Sequence, residues 1–381
     1  MPDVFIRDIA AFLPNRPVGN HEMEALLGQV GQRPSRARRI ILRSNGIINR
    51  YYAIDPQTGR STHTNAMLAA EAIRILAQRR CPLDEIELLA CGTSLPDQLM
   101  PNHAVMVQGE LAMPPCEVAS LAGICIAGVM ALKYAFLSVR AGESSNAIAT
   151  GSENASALLR GHNFPDPAKP EQADDAHGAE LAFSKDFLRW MLSDGAGAMW
   201  LADTPNTDGI SLRLDWIWQS SYAGEMETCM YAGAVKNSDG SLTGWRDIPP
   251  RQWLPEAVFA IKQDVKLLNE QVINYTVTRP LRRLAATGRL DPERIDWFLP
   301  HYSSEFFRDR VAQGMEKAGV PIPQHKWFTN LAQKGNTGSA SMYIILEELF
   351  HSGRLKSGET IFCYIPESGR FSAAFIHLTV I

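Results

Sequence analysis

The sequence predicts an α/β protein made of two related halves that share one packed body. Three observations predict it. Short apolar runs bounded by Gly, Asp or Ser alternate with longer stretches of helical periodicity. Two segments, ELLACGTS (87–94) and IDWFLPHYSS (295–304), each follow a helical stretch and a proline-containing turn, and each leaves a strand into polar residues. Each half also closes on glycine followed by an apolar run, DGAGAMWLAD (194–203) and SGRFSAAFIHLTV (368–380).

In order along the chain, buried strands are expected at Leu88–Cys91, Ala147–Thr150 and Ala196–Leu201, with a helix at Ala66–Gln78 before the first and one at Ile126–Arg140 between the first two. The second half reads as helices at Leu254–Leu268 and Leu281–Ala286, a short strand at Trp297–Leu299, and helices at Glu305–Ala318 and Ser339–Phe350. Closing strands are expected at Thr360–Ile365 and Ser372–Val380. No Pro/Gly/Ser linker divides the halves, which we place at 1–203 and 204–381. Gly161–Ala179, with Pro165, Pro167 and Pro170, is expected as a loop insertion. Trp216–Trp253, rich in Trp, Tyr, Met and Gly, is expected as an ordered aromatic insertion near a ligand.

Composition narrows the function. The chain has 381 residues, 45% hydrophobic and 20% charged, with a net charge of −4. That supports a large core and argues against nucleic-acid binding, which favours a strongly basic face. The first ten residues carry Asp3, Arg7 and Asp8, so they do not read as a secretory signal, and no run is long and apolar enough to span a membrane. The expected setting is cytoplasmic. The six cysteines form no CxxC pair, so no metal site is expected.

Three segments carry chemistry. SLAGICIAGVMALKYAFLSVRAGE places Cys125 at the start of an almost uncharged helix, where free backbone N–H groups favour a thiolate; an inert core cysteine is the competing reading. FLPHYSSEFF ends a strand at His301, where open α/β sheets hold ligands; a structural histidine competes. GNTGSAS puts Asn336 in a tight turn before a helix, with an amide able to donate to an oxyanion; an ordinary turn and cap competes.

Together these segments resemble the ketoacyl-ACP synthase III group of the thiolase superfamily. The resemblance runs through GTSLPDQLMPNHAVMVQ, the Cys125 helix, SDGAGAM, LPHYSS, GNTGSAS and SGRFSAAF, and covers nearly the whole chain. It implies a thiolase fold, with two similar βαβαβαββ halves packed in five layers (αβαβα). It implies a Cys125–His301–Asn336 triad, an oxyanion hole from the N–H groups of Cys125 and Gly369, and a homodimer in which Met100 reaches the partner's acyl tunnel. Substrates would be acyl thioesters of CoA or acyl carrier protein, and no cofactor is called for. Arg36, Arg38, Arg39 and Arg43 would receive the anionic carrier arm, although any one of them also reads as part of a solvated charge run. Glu153 in GSENAS is a candidate base for ring closure, or else a buried structural carboxylate.

The chain departs from the group's pattern. Ser368-Gly369-Arg370 stands where three glycines are usual, Tyr302 and Ser303 stand where Gln and Ala are frequent, and the span from Cys125 to His301 is long. FLPNRPVGNHEMEALLG, PSRARRIILRSNGIINRYYAID and THTNA resemble, more narrowly, the ketosynthase-cyclases that make dialkylresorcinol and cyclohexanedione precursors. Two other functions compete: a thiolase-fold acyltransferase passing its acyl group to a hydroxyl or amine, and a non-catalytic subunit of a ketosynthase heterodimer.

Overall fold

A computed structural model describes residues 2–30, 34–35, 38–164 and 187–381. Its centre is a nine-stranded mixed sheet. The strands are β1 (Phe5–Phe12), β2 (Leu88–Thr93), β3 (Glu117–Ala122), β4 (Asn146–Glu153), β5 (Gly195–Ala202), β6 (Leu212–Ser221), β7 (Trp297–Pro300), β8 (Thr360–Glu367) and β9 (Ser372–Val380). They lie in the order β7-β8-β9-β6-β1-β5-β4-β2-β3.

That order contains one pattern twice. From β1 outward the first half runs β1, β5, β4, β2, β3, with β4 and β2 parallel and the two pairings nearest β1 antiparallel. From β6 outward the second half runs β6, β9, β8, β7 with the same senses. The counterpart of β3 is reduced to a single parallel bridge between Phe298 and Trp327. The halves join where Phe5 and Ile6 of β1 pair with Arg213 and Leu212 of β6.

Alternation along the strands builds the layers, because successive side chains point to opposite faces. Leu89, Cys91, Ile148, Ala196 and Ala198 face helices α1 (Asn65–Arg79) and α2 (His103–Leu111). Leu88, Ala90, Ala147, Ala149 and Met199 face the opposite way, onto α3 (Ala127–Ala141). The second half puts Ile361, Cys363 and Ile365 into that same central layer, beside α7 (Ser341–Phe350). Phe362, Tyr364 and Phe375 point outward onto α4 (Val265–Ile273), α5 (Arg279–Ala285) and α6 (Arg308–Ala318). Helix, sheet, helix, sheet, helix: this is the five-layer arrangement of the thiolase fold.

Two expectations need correction. Leu254–Leu268 is not one helix. Turns occupy its first part, where Ala257 has φ 46°. Lys262 and Gln263 then pair with Tyr231 and Met230. The helix begins only at Val265, where the Asp264 carboxylate caps it by accepting the N–H of Leu267 at 2.9 Å. The aromatic insertion also starts later than Trp216. Trp216–Ser221 continues β6, because Trp216 and Trp218 fill the outer face of the second half-sheet against Phe362 and Phe375. Of the Gly161–Ala179 loop, Gly161–Asn163 forms a tight turn and the segment from 165 onward lies outside the described residues.

Candidate active site

The Cys125 turn is built by close approach. β3 ends at Ala122, and Gly123–Ile126 leads into α3. The Glu367 carboxylate, at the end of β8, accepts the N–H of Ile124 at 2.7 Å and that of Ile126 at 3.4 Å. The N–H of Cys125 lies between these two and has no backbone partner among the described residues.

Asn336 is held by its own backbone. Its N–H donates to the Met191 carbonyl at 3.1 Å, and its carbonyl accepts the N–H of Ser193 at 2.8 Å. The Asn336 Oδ1 accepts the Gly338 N–H at 3.0 Å. Because a backbone N–H can bond only the oxygen end, the amide orientation is fixed and the Nδ2 donor is the end left for a ligand. The flanking glycines are required. Gly335 (φ 72°) and Gly338 (φ 54°) are left-handed, and a Cβ on Gly338 would lie 2.7 Å from Glu153 Cγ. The SDGAGAM motif braces this turn. Asp194 accepts the N–H groups of Ala53 and Ser156 at 2.7 and 2.8 Å, and burial pushes its carboxyl up to about 6.

His301 follows β7 directly, and its N–H donates to the Tyr364 carbonyl at 2.8 Å. The ring is buried and makes no protein hydrogen bond among the described residues. Burial holds its pKa down to about 4, so the imidazole is neutral near pH 7 and carries a free acceptor nitrogen.

Cys125, His301 and Asn336 line one cavity of about 210 Å3, together with Glu153, Ser94, Ser193 and Ser368. Its walls are mainly apolar, including Leu95, Leu192, Ile261, Leu268, Val272 and Phe307. Cys125 is the one cysteine on this wall among the described residues. The thiol differs from the sequence expectation: its pKa is pushed up, first by burial and then by Glu367 and Glu153. The helix start does not deliver a resting thiolate, because burial outweighs it and the neighbouring carboxylates of Glu367 and Glu153 add to the burial.

Gly369 sits in the turn between β8 and β9, beside Ser368 rather than on the cavity wall itself. The N–H groups of Cys229 and Met230 hold its carbonyl at 2.8 and 3.3 Å, and its own N–H has no backbone partner among the described residues. Glu153 closes β4. Its Oε1 accepts the Ser94 hydroxyl and the N–H groups of Ser94 and Ser339, at 3.0 and 3.2 Å, and burial raises its pKa. Met230, Tyr231 and Ala232 of the aromatic insertion reach the cavity.

The other expected residues lie elsewhere. Met100 is on the surface, 85% exposed. Arg38 is tied to Glu24 at 2.8 Å, while Arg39 and Arg43 are exposed on the same short helix, Arg38–Asn45. That helix touches the loop after His301 through Ser304, whose hydroxyl donates to the Ser44 carbonyl. Arg36 lies outside the described residues. Glu367 was not singled out from the sequence; the available signal was a lone acid inside the apolar run IFCYIPESGRF. Among the described residues no His, Cys, Asp or Glu cluster could hold a metal, and no helix is long and apolar enough to cross a membrane.

Known proteins are similar to this chain in sequence and in fold. Residues 285–369 match the family described as 3-oxoacyl-[acyl-carrier-protein (ACP)] synthase III C terminal. A beta-ketoacyl-[acyl-carrier-protein] synthase III of Xanthomonas oryzae is 25% identical over 359 residues, covering 93% of this chain and 92% of that one. One from Clostridium perfringens is 27% identical, covering 83% of each. Among solved structures, the tetronic acid condensing enzyme AbyA1 superposes with a TM-score of 0.74 at 20% identity, covering 99% of both chains. Xanthomonas campestris OleA with bound lauric acid and lauroyl-CoA gives 0.72 at 20% identity, again over 99% of both. The chain is thus similar over nearly its whole length to beta-ketoacyl-ACP synthases III, matches their C-terminal family at residues 285–369, and has the thiolase fold of these solved condensing enzymes.

Proposed function

We propose that this condensing enzyme carries its acyl group on Cys125 and joins it to a second acyl thioester at His301 and Asn336. We propose further that the joining is followed by ring closure to dialkylresorcinol or cyclohexanedione precursors. The observation that carries the first reading is the apolar cavity on which Cys125 meets a neutral His301 and the Nδ2 of Asn336, which has no partner among the described residues. The narrower reading rests on the N-terminal resemblance described above.

The chemistry follows from the protonation states. The Cys125 proton passes to the neutral His301, and the sulfur attacks the thioester carbonyl. The N–H groups of Cys125 and Gly369 are the oxyanion donors of this step. As the new C–S bond forms the old one breaks, and the leaving thiolate takes the proton back from the imidazolium. A second, carboxylated thioester then forms an enolate as its C–C bond to the carboxylate breaks and CO2 leaves. Its oxygen accepts hydrogen bonds from the His301 N–H and Asn336 Nδ2. The carbanion attacks the Cys125-bound acyl carbonyl and expels the cysteine thiolate, or adds to its conjugated alkene. Glu153, whose Oε2 makes no hydrogen bond among the described residues, is the base we assign to ring closure.

The test separates loading from condensation. Asn336→Ala is expected to become acylated at Cys125, seen as a mass increment on the intact protein, while condensed product falls roughly a hundredfold or more, the cost of one lost oxyanion donor. Equal loss of both steps would make Asn336 structural. Loss of neither would remove the carbanion step and favour acyl transfer to a hydroxyl or amine.

A further inference from the structure

The structure assigns to Glu367 a positioning role: its carboxylate clamps the two turns that carry the oxyanion donors and sets the charge beside the nucleophile. The assignment rests on the reading of Cys125 as the acylated residue.

Glu367 ends β8, in register with Ser372 of β9, so its backbone is fixed on both sides of the turn that holds Gly369. Its side chain reaches across to the other half of the molecule. Oε2 accepts the N–H of Ile124 and of Ile126, the residues on either side of Cys125. A Cβ placed on Gly123 would lie 3.4 Å from Oε2, and one placed on Gly369 would lie 3.6 Å from Oε1. The carboxylate therefore lies beside both the Cys125 turn, to which it is hydrogen-bonded, and the Gly369 turn, which its own strand leads into.

Two consequences follow. The first is geometric. A helix start leaves several N–H groups without partners. Any of them could bind an oxyanion or water in a wrong register. Glu367 takes the neighbours of Cys125 and leaves the Cys125 N–H as the donor aimed at substrate, with the Gly369 turn held against it. An oxyanion hole works through donors that need no reorganisation at the moment of reaction, and a buried clamp between the turns supplies that.

The second is electrostatic. The titratable groups facing Cys125 are Glu367 from β8, Glu153 from β4 and His301 after β7. Two are acids and the third is neutral near pH 7. A carboxylate beside the sulfur disfavours a second negative charge. Burial first, and these carboxylates after it, keep the thiol protonated until a thioester arrives and His301 accepts the proton. Burial raises the pKa of Glu367 itself, while its two N–H bonds favour the ionised form.

The experiment compares wild type, Glu367→Gln and Glu367→Ala in two measurements. The first is the rate of Cys125 alkylation by iodoacetamide against pH, read by peptide mass spectrometry. Removing the charge is expected to move the midpoint down by about one pH unit in both variants. The second is the rate of Cys125 acylation by lauroyl-CoA in single turnover. Gln can still accept both N–H groups and Ala cannot, so Glu367→Gln is expected to load at least roughly tenfold faster than Glu367→Ala. Unchanged alkylation midpoints, or equal loading by the two variants, would overturn the assignment. If Glu367→Ala does not fold, the alkylation midpoint of Glu367→Gln decides alone. If wild type alkylates at Cys125 but is acylated by no thioester, the condensing reading fails while the midpoint shift still judges the role of Glu367.

Discussion

A buried titratable side chain must either find a partner or stay neutral, and this molecule uses both outcomes. Glu153 and Glu367 keep hydrogen-bond donors around them, whereas His301 and His103 are held down to about 4 by burial. His103 lies away from the cavity. Its Nε2 meets the Ser152 hydroxyl at 3.0 Å, and its Nδ1 has no protein partner among the described residues. The folded state refuses a proton that an unfolded His103 takes up near 6.5. Its contribution to stability is therefore full above about pH 6.5 and is lost as pH falls toward 4. His103→Asn should flatten this dependence. Between about pH 7.5 and about 5.5, urea unfolding should show wild type losing about 1 kcal/mol more than the variant. Equal losses would mean that His103 titrates normally. At this scale tight motifs in the sequence drew attention to Cys125, His301 and Asn336, and the fold brings these three to one cavity. The sequence was not legible for Glu367, whose function depends on two turns distant in sequence that only folding brings together.

Among the elements, the two helices of the central layer set a tight constraint. α3 and the turn before α7 meet where side chains are almost absent. A Cβ on Gly128 would lie 2.3 Å from the Ser339 carbonyl oxygen and 2.9 Å from the Tyr343 ring. The Tyr343 hydroxyl donates to the Gly128 carbonyl at 2.8 Å. Gly128→Ala must therefore push the Cys125 helix away from the Asn336 turn. It should cost about 1–3 kcal/mol in urea unfolding, as overpacking does, and should slow acylation. Stability within about 0.5 kcal/mol of wild type would show that the layer yields. The sequence disclosed α1 and α3, and the strands β2, β4 and β5, because their apolar patterns are unbroken. It hid β1 and β6, the strands that join the halves. Each carries charge, Arg7-Asp8 in one and Arg213 with Asp215 in the other, and the pairing slips a register at Ile6/Asp8 and at His377/Leu378. A bulge interrupts the two-residue period on which strand recognition depends.

For the whole molecule, the sheet ends at an open edge. Among the described residues β3 pairs with β2 on one side only, and its own residues are partly or fully exposed. Beside it α3 exposes Tyr134 and Leu137, and the loop before α2 exposes Leu99 and Met100, at 74% and 85%. An unpaired edge strand flanked by large apolar side chains is a template for another chain, and a self-complementary edge closes with two-fold symmetry. We therefore expect a homodimer formed along β3, with each Met100 carried to the other subunit's cavity. Light scattering at micromolar concentration should give twice the chain mass, and a monomer would reject the arrangement. Met100→Trp should leave the dimer folded and narrow the range of acyl thioesters that load Cys125, the longest being lost first. If the range is unchanged in a dimeric variant, Met100 contributes only to the interface. If the variant is monomeric, the edge and the gate are one contact, and loading of wild type should then weaken as dilution separates the subunits.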